Sequence, residues 1–328
     1  MKIAIDAMGG DYAPEEVVKG AALALEEIDL EIILLGNMEK VNEKLAKYKY
    51  KKDKITIINC KESIETSEFP LSAIRNKKDS SIVVGTKLLK NNKVDAFISA
   101  GNSGAVMAVA ILELGCISKQ IRRPSIAAIL PSAKGKVLVL DVGANVDCKP
   151  EHLLQFAHLG GKYAQYILKI KDPKIGLLNI GEEENKGNKF TQNAYIILKN
   201  ANINFVGNIE GKDIFKGKVD VVVCDGFTGN ILLKSSEGLA KLLLTEINKE
   251  VISQLPQNQE MDKLKQKFAN LVKMTDYTEH GGSPLLGING LCVICHGRSK
   301  AKTFKNAILN TCKFIDSNIV EHFKEIEI

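Results

Sequence analysis

Short runs of unbroken apolar residues recur along the chain, and between most of them the apolar positions repeat with a helical period. Residues 2–6, 31–35, 54–59, 95–99, 125–130, 136–140, 174–179, 204–206, 219–224 and 291–295 read as strands. Residues 14–28 show the intervening pattern, with Val17, Val18, Ala21, Leu25 and Ile28 on one helical face. Continuous apolar strands alternating with amphipathic helices predict a largely parallel sheet covered on both faces, in an α/β three-layer sandwich. No internal repeat interrupts the order.

One region breaks the rhythm. Residues 229–274 hold two successive helical patterns separated by "PQNQ", which predicts a protruding helical hairpin within a single chain spanning 1–328. Leu242, Leu243, Leu244, Ile247, Val251 and Ile252 give it a large apolar surface. A homodimer interface would cover that surface, and so would contact of its tip with a membrane. The two can coexist.

Composition narrows the class. Hydrophobic residues make up 45% and charged residues 26%, the balance of a soluble globular protein, and tryptophan is absent. Ile, Leu, Val and Ala must therefore build the core. The formal charge of +6 suits an acidic partner but equally a lysine-rich solvated surface. No basic run carries interleaved aromatics, so nucleic acid is not expected. No signal-peptide core or membrane-length apolar run occurs, and seven cysteines lack paired spacing, which points to a reducing cytoplasm. Residues 290–297, "GLCVICHG", contain the Cys-x-x-Cys-His pattern of c-type haem attachment. Along a strand, residues three apart face opposite sides, so Cys292 and Cys295 are expected to pack in the core and grip no haem.

Chemistry is concentrated in Gly/Asn-rich turns at strand ends: residues 6–14, 99–105, 141–145, 179–188, 225–230 and 296–299. Ligands of open α/β sheets bind outside the carboxyl ends of the strands, where glycines let backbone amides approach an anion. Six such turns would suit phosphate or a phosphorylated ligand. The P-loop and the Rossmann glycine fingerprint are both missing, and no His/Cys/Asp cluster has metal-ligand spacing. "GNSGA" around Ser103 nearly matches the hydrolase elbow, and Asp225 and His296 follow in hydrolase order, so a serine acyl hydrolase is a rival reading.

Seven blocks in order, "AIDAMGGDYAP", "SAGNSGA", "DVGAN", "LLNIGEEENKGN", "GNIEG", "VVVCDGFTGN" and "GGSPLLG", resemble the acyl-[acyl-carrier-protein]:phosphate acyltransferase family, PlsX. The resemblance runs from Met1 to the final helix. It implies a fold similar to isocitrate and isopropylmalate dehydrogenases, usually as a homodimer. The implied reaction moves a fatty acyl group from acyl carrier protein to inorganic phosphate, without cofactor or metal. The product acyl phosphate would pass to a membrane acyltransferase in phospholipid synthesis. Ser103 departs from the threonine expected in many members but retains the hydroxyl. A phosphotransacylase acting on acyl-coenzyme A is the nearest alternative, and a non-enzymatic membrane scaffold the most distant.

On this resemblance Lys186, in a turn with Asn179, Gly181 and Glu182, is expected to bind phosphate and offset its charge. Asn230 is expected to donate a hydrogen bond to phosphate or oxyanion, or to cap its helix. Gly9, Gly10, Asn102, Ser103, Gly104 and Asn145 are expected to shape the anion pocket, with Asp11 orienting neighbours. His296 and Ser299 would close the crevice.

Overall fold

The computed structural model describes residues 1–256, 259–275, 279 and 281–328. The first half runs β1 (Lys2–Asp6), α1 (Glu15–Glu27), β2 (Glu31–Gly36), α2 (Met38–Leu45), β3 (Ile55–Asn59), α3 (Pro70–Asn76), α4 (Ser81–Lys90), β4 (Ala96–Ser99) and α5 (Ser103–Glu113). The second half begins with a hairpin, β5 (Ser125–Ser132) and β6 (Gly135–Leu140). It continues through α6 (Pro150–Tyr166), β7 (Ile175–Leu178), α7 (Lys189–Lys199), β8 (Phe205–Ile209), α8 (Gly211–Lys216) and β9 (Val221–Val223). Helices α9 (Gly226–Glu250) and α10 (Gln259–Thr275) follow. The chain then returns through β10 (Ser283–Leu286), β11 (Cys292–Ile294), α11 (Ala301–Asp316) and α12 (Ile319–Lys324).

The described strands form one 11-stranded sheet in the order β3-β2-β1-β4-β11-β10-β5-β6-β9-β7-β8. Most pairings are parallel, as the unbroken apolar runs predict; the antiparallel ones, β11–β10, β10–β5 and β5–β6, sit together in the middle. There the chain returns from the second half to the first.

Helices cover both faces, so strand residues are buried on each side in turn. Cys292 and Ile294 pack in one core cluster, while Val293 and Cys295 pack in another across the sheet. The two cysteines thus face opposite ways, and burial pushes both thiols up to about 12. Each is a small apolar filler, and the haem pattern is accidental.

Sequence reasoning missed β10, because Pro284 and the flanking Gly282 and Gly287 disguise a four-residue strand. The strand tolerates the proline because β10 pairs only briefly with either neighbour.

The long helix α9 starts at Gly226 and not at residue 229, because Asp225 caps it by accepting a hydrogen bond from Thr228 N at 2.8 Å. Only Gly226 and Gly229 are buried along α9, and α10 buries none of its residues. Leu239, Leu242, Leu243, Leu271 and Met274 are exposed in the single chain. Residues 257–258 of the predicted "PQNQ" break lie outside the described residues. Among the described residues no helix is long and apolar enough to cross a membrane.

Candidate active site

Strands β1 and β4 lie side by side, and their continuations run off in opposite directions, which makes their carboxyl ends a switch point of the sheet. Asp6 ends β1 and is fully buried. It accepts hydrogen bonds from Ser99 Oγ at 2.7 Å and Met8 N at 3.0 Å. Burial pushes its pKa up, and these donors pull the other way. A Cβ on Gly9 would strike that carboxylate and the Gly101 backbone, so the turns after β1 and β4 meet only because residue 9 has no side chain. Gly10 backs onto Ala100 and Gly297, and Asp11 N donates to Gly297 O at 2.8 Å. That bond ties the turn after β11 to the turn after β1.

Asn102 caps α5. Its Oδ1 accepts from Ala105 N at 3.0 Å, and its Nδ2 donates to the carbonyls of Glu65, Thr66 and Glu68. The amide expected to face an anion is therefore engaged in holding a neighbouring loop. Ser103, the first residue of α5, is exposed at the helix N-terminus, where amide dipoles favour an anion. Gly104 turns towards Pro70.

The second half repeats the device. Asp141, just past β6, is fully buried and accepts from Ile126 N at 2.9 Å, Ala144 N at 3.1 Å, Asn145 N at 2.6 Å and Asn145 Nδ2 at 2.9 Å. Burial raises its pKa against these bonds. Asn145 Nδ2 also donates to Pro124 O at 2.7 Å, so this side chain pins its own turn. Asn230 instead lies across Gly143 with its cap duty taken by Asp225.

These turns border one cavity of about 920 Å³, lined at this end by Asp11, Ser103, Asn230, Lys234, Glu237 and His296, with Asn102 in its wall. Asn230, Leu233, Lys234 and Glu237 recur at the spacing of one helical face, and that face of α9 fronts the cavity. Sequence reasoning missed Lys234 and Glu237; reading the helical period forward from Asn230 would have found both. Lys234 has no ion-pair partner among the described residues. Glu237 is half-buried, and burial raises its carboxyl while Lys234 opposes the rise.

Arg298 N donates to His296 Nδ1 at 3.3 Å, so the neutral ring carries its proton on Nε2. Burial lowers the imidazole pKa, Lys234 and Arg298 lower it further, and Asp11 pulls it back up. Ser299 lies buried beneath this rim, its Oγ without a hydrogen-bond partner among the described residues, and its N–H donates to His296 O at 2.9 Å.

The turn after β7 follows a strand paired with β9. Asn179, Gly181, Glu182 and Lys186 do not line the cavity. Asn179 Nδ2 donates to Lys186 O at 3.2 Å, Glu182 pairs with Lys218 at 2.8 Å, and Asn188 caps α7. Lys186 is exposed, and its N–H donates to Glu183 O at 3.1 Å.

The triad geometry of a serine hydrolase is not assembled. Among the described residues no hydrogen bond joins Ser103 to His296, and Asp225 accepts from Thr228 Oγ1 at 2.7 Å in its capping role. No group of three or more His, Cys, Asp or Glu among the described residues could hold a metal ion.

The family described as "Fatty acid synthesis protein" matches residues 1–322. The chain belongs to that family. A phosphate acyltransferase of Dictyoglomus thermophilum is 52% identical over 310 residues, covering 94% of this chain and 92% of the relative. One from Thermoanaerobacterium thermosaccharolyticum is 47% identical, covering 100% of this chain and 97% of the relative. Among solved structures, the EutD phosphotransacetylase from Staphylococcus aureus superposes with a TM-score of 0.63 at 17% identity, covering 98% of this chain and 94% of that one. That likeness speaks to the fold. The relatives' names make this family member an acyltransferase, and the structural likeness gives it a phosphotransacylase-like α/β architecture.

Proposed function

We propose that the protein transfers a fatty acyl group from an acyl-carrier-protein thioester to inorganic phosphate, releasing acyl phosphate for phospholipid synthesis. A phosphate oxygen attacks the thioester carbonyl, forming a C–O bond and a tetrahedral oxyanion. Collapse of that intermediate breaks the C–S bond, and the electron pair leaves on sulfur. A thiolate with a pKa of about 8.5 is a tolerable leaving group, so the larger task is to hold two reactants together and neutralise charge.

The observation that carries this reading is the convergence of Asn230, Lys234 and the N-terminus of α5 on one cavity. Asn230 supplies an amide donor for the oxyanion or the phosphate. Lys234 offsets phosphate charge from within the cavity, and Lys186 adds positive charge from the neighbouring turn. The buried carboxylates Asp6 and Asp141 hold the turns rigid and touch no reactant.

The exposed apolar residues of α9 and α10 support a homodimer formed through the hairpin, with peripheral membrane contact at its tip. Such contact would deliver acyl phosphate to a membrane acyltransferase. The net charge of +6 supports docking of an acidic carrier protein.

Incubation with acyl carrier protein thioester, with and without phosphate, tests the reaction. Acyl phosphate is expected only when phosphate is present; free fatty acid in both arms would mean hydrolysis and defeat the reading. Equal turnover of acyl-coenzyme A would remove the carrier-protein preference. Sedimentation and vesicle flotation test the dimer and the membrane contact.

A further inference from the structure

The cavity continues beyond its reacting end. Ile126, Ala128 and Ile294 line it on one face of the sheet, while Ala127, Ile129 and Cys295 line it on the other. It crosses where β5 and β10 part, since these strands pair only through Leu285↔Ile126 and Leu286↔Ser125. Small residues border the crossing, Ala127 and Ala128 on β5 and Gly281 and Gly282 ahead of β10. At the far end stand Leu168, Tyr163 and Phe314, the two rings 5.9 Å apart and tilted by 59°.

We propose that this passage through the sheet holds the acyl chain of the substrate, with the thioester at Asn230 and the chain end against Tyr163 and Phe314. The proposal rests on the acyl-transfer reading of the site. Phosphate alone needs a small fraction of about 920 Å³, a volume at the upper end of small-molecule sites, which run to about 1,000 Å³. The alanine and isoleucine side chains along the middle of the passage suit methylenes, while Lys169, Lys313 and Asp316 stand around its far mouth beside Tyr163 and Phe314. A chain laid instead along α9 would rest on Leu239 and Leu242, both more than half exposed in the single chain. The passage removes far more of the chain from water.

A carrier-protein thioester bearing a diazirine on the terminal carbon of a long acyl chain, irradiated with the full-length protein, tests this directly. The label is expected within residues 163–168 or 314–317. Label on the α9 and α10 leucines, or scattered over the surface, would overturn the proposal. A second measurement uses Leu168→Trp, which narrows the far end. The ratio of kcat/KM for hexadecanoyl over octanoyl thioester should fall by about tenfold or more, since each buried methylene is worth about fourfold in binding. An unchanged ratio in the folded variant would also overturn it. If the unaltered protein forms no acyl phosphate from any thioester, the acyl-transfer reading fails and takes this proposal with it. If acyl phosphate forms while the label sits on the hairpin, the passage alone is refuted.

Discussion

Two Gly/Asn-rich turns leave the neighbouring strands β9 and β7, and they meet different fates. After β9, Asp225 takes over the helix cap, which leaves Asn230 and Lys234 to front the cavity. After β7, Asn179 bonds back to Lys186 O and Asn188 caps α7, so these asparagines are spent on the turn itself while the Lys186 side chain stays exposed. Similar residue types at similar positions therefore carry different chemistry. What matters is which polar groups the local structure has not already used.

The comparison can be broken at its scaffold. Asp141→Ala would leave the backbone N–H groups of Ile126, Ala144 and Asn145 without their acceptor and take one of two acceptors from the Asn145 amide. A loss of about 3 kcal/mol or more is expected, read as a fall in the midpoint of chemical denaturation. A midpoint like that of the unaltered protein would mean that this turn is held by something else. Asn230→Ala should leave stability nearly intact and lower kcat by about a hundredfold, the cost of a lost oxyanion donor. Activity within threefold of normal would remove Asn230 from the reaction.

The two lysines sharpen the same contrast. Lys234→Ala is expected to lower kcat/KM by about ten- to a hundredfold, since a charge on a helix in the cavity acts at short range. Lys186→Ala is expected to cost about tenfold or less, mostly in KM for phosphate, because its turn lies outside the cavity lining, and both losses should shrink at high salt because both lysines are exposed. A larger loss at Lys186 than at Lys234 would reverse the ranking and bring the β7 turn to the reacting centre.

Most of the sheet was legible because its strands are unbroken apolar runs, and Cys292 and Cys295 could be assigned to opposite faces from spacing alone. β10 was not legible, because Pro284 and its glycine neighbours look like a turn. The turns around the site could be located as anion-binding candidates, yet residue type could not separate asparagines that face the cavity from those that hold their own turns. Asn102 and Asn145 proved to be engaged in capping and pinning, whereas Asn230 was spared by Asp225, a relation fixed by the helix starting three residues earlier than its apolar pattern suggests. Lys234 was hidden among many lysines until the helical face identified it.

The smallest expected effect is a shift in the titration of His296. Burial comes first in lowering its pKa below the ordinary 6.5, Lys234 and Arg298 add to the lowering, and Asp11 opposes it. The ring is therefore neutral at pH 7. Its contribution to stability is present above 6.5 and is lost as the pH falls through its lowered value. Removing the lysine charge with Lys234→Met should move the titration upward, towards 6.5. Removing the acid with Asp11→Asn should move it further down. The imidazole proton resonances report this directly, with His296→Gln assigning the signal among the five histidines of the chain. Shifts in opposite directions would establish that Lys234 and Asp11 both bear on one ring at the cavity rim. No upward movement in Lys234→Met would mean that the α9 face lies too far from His296 to share a phosphate with it.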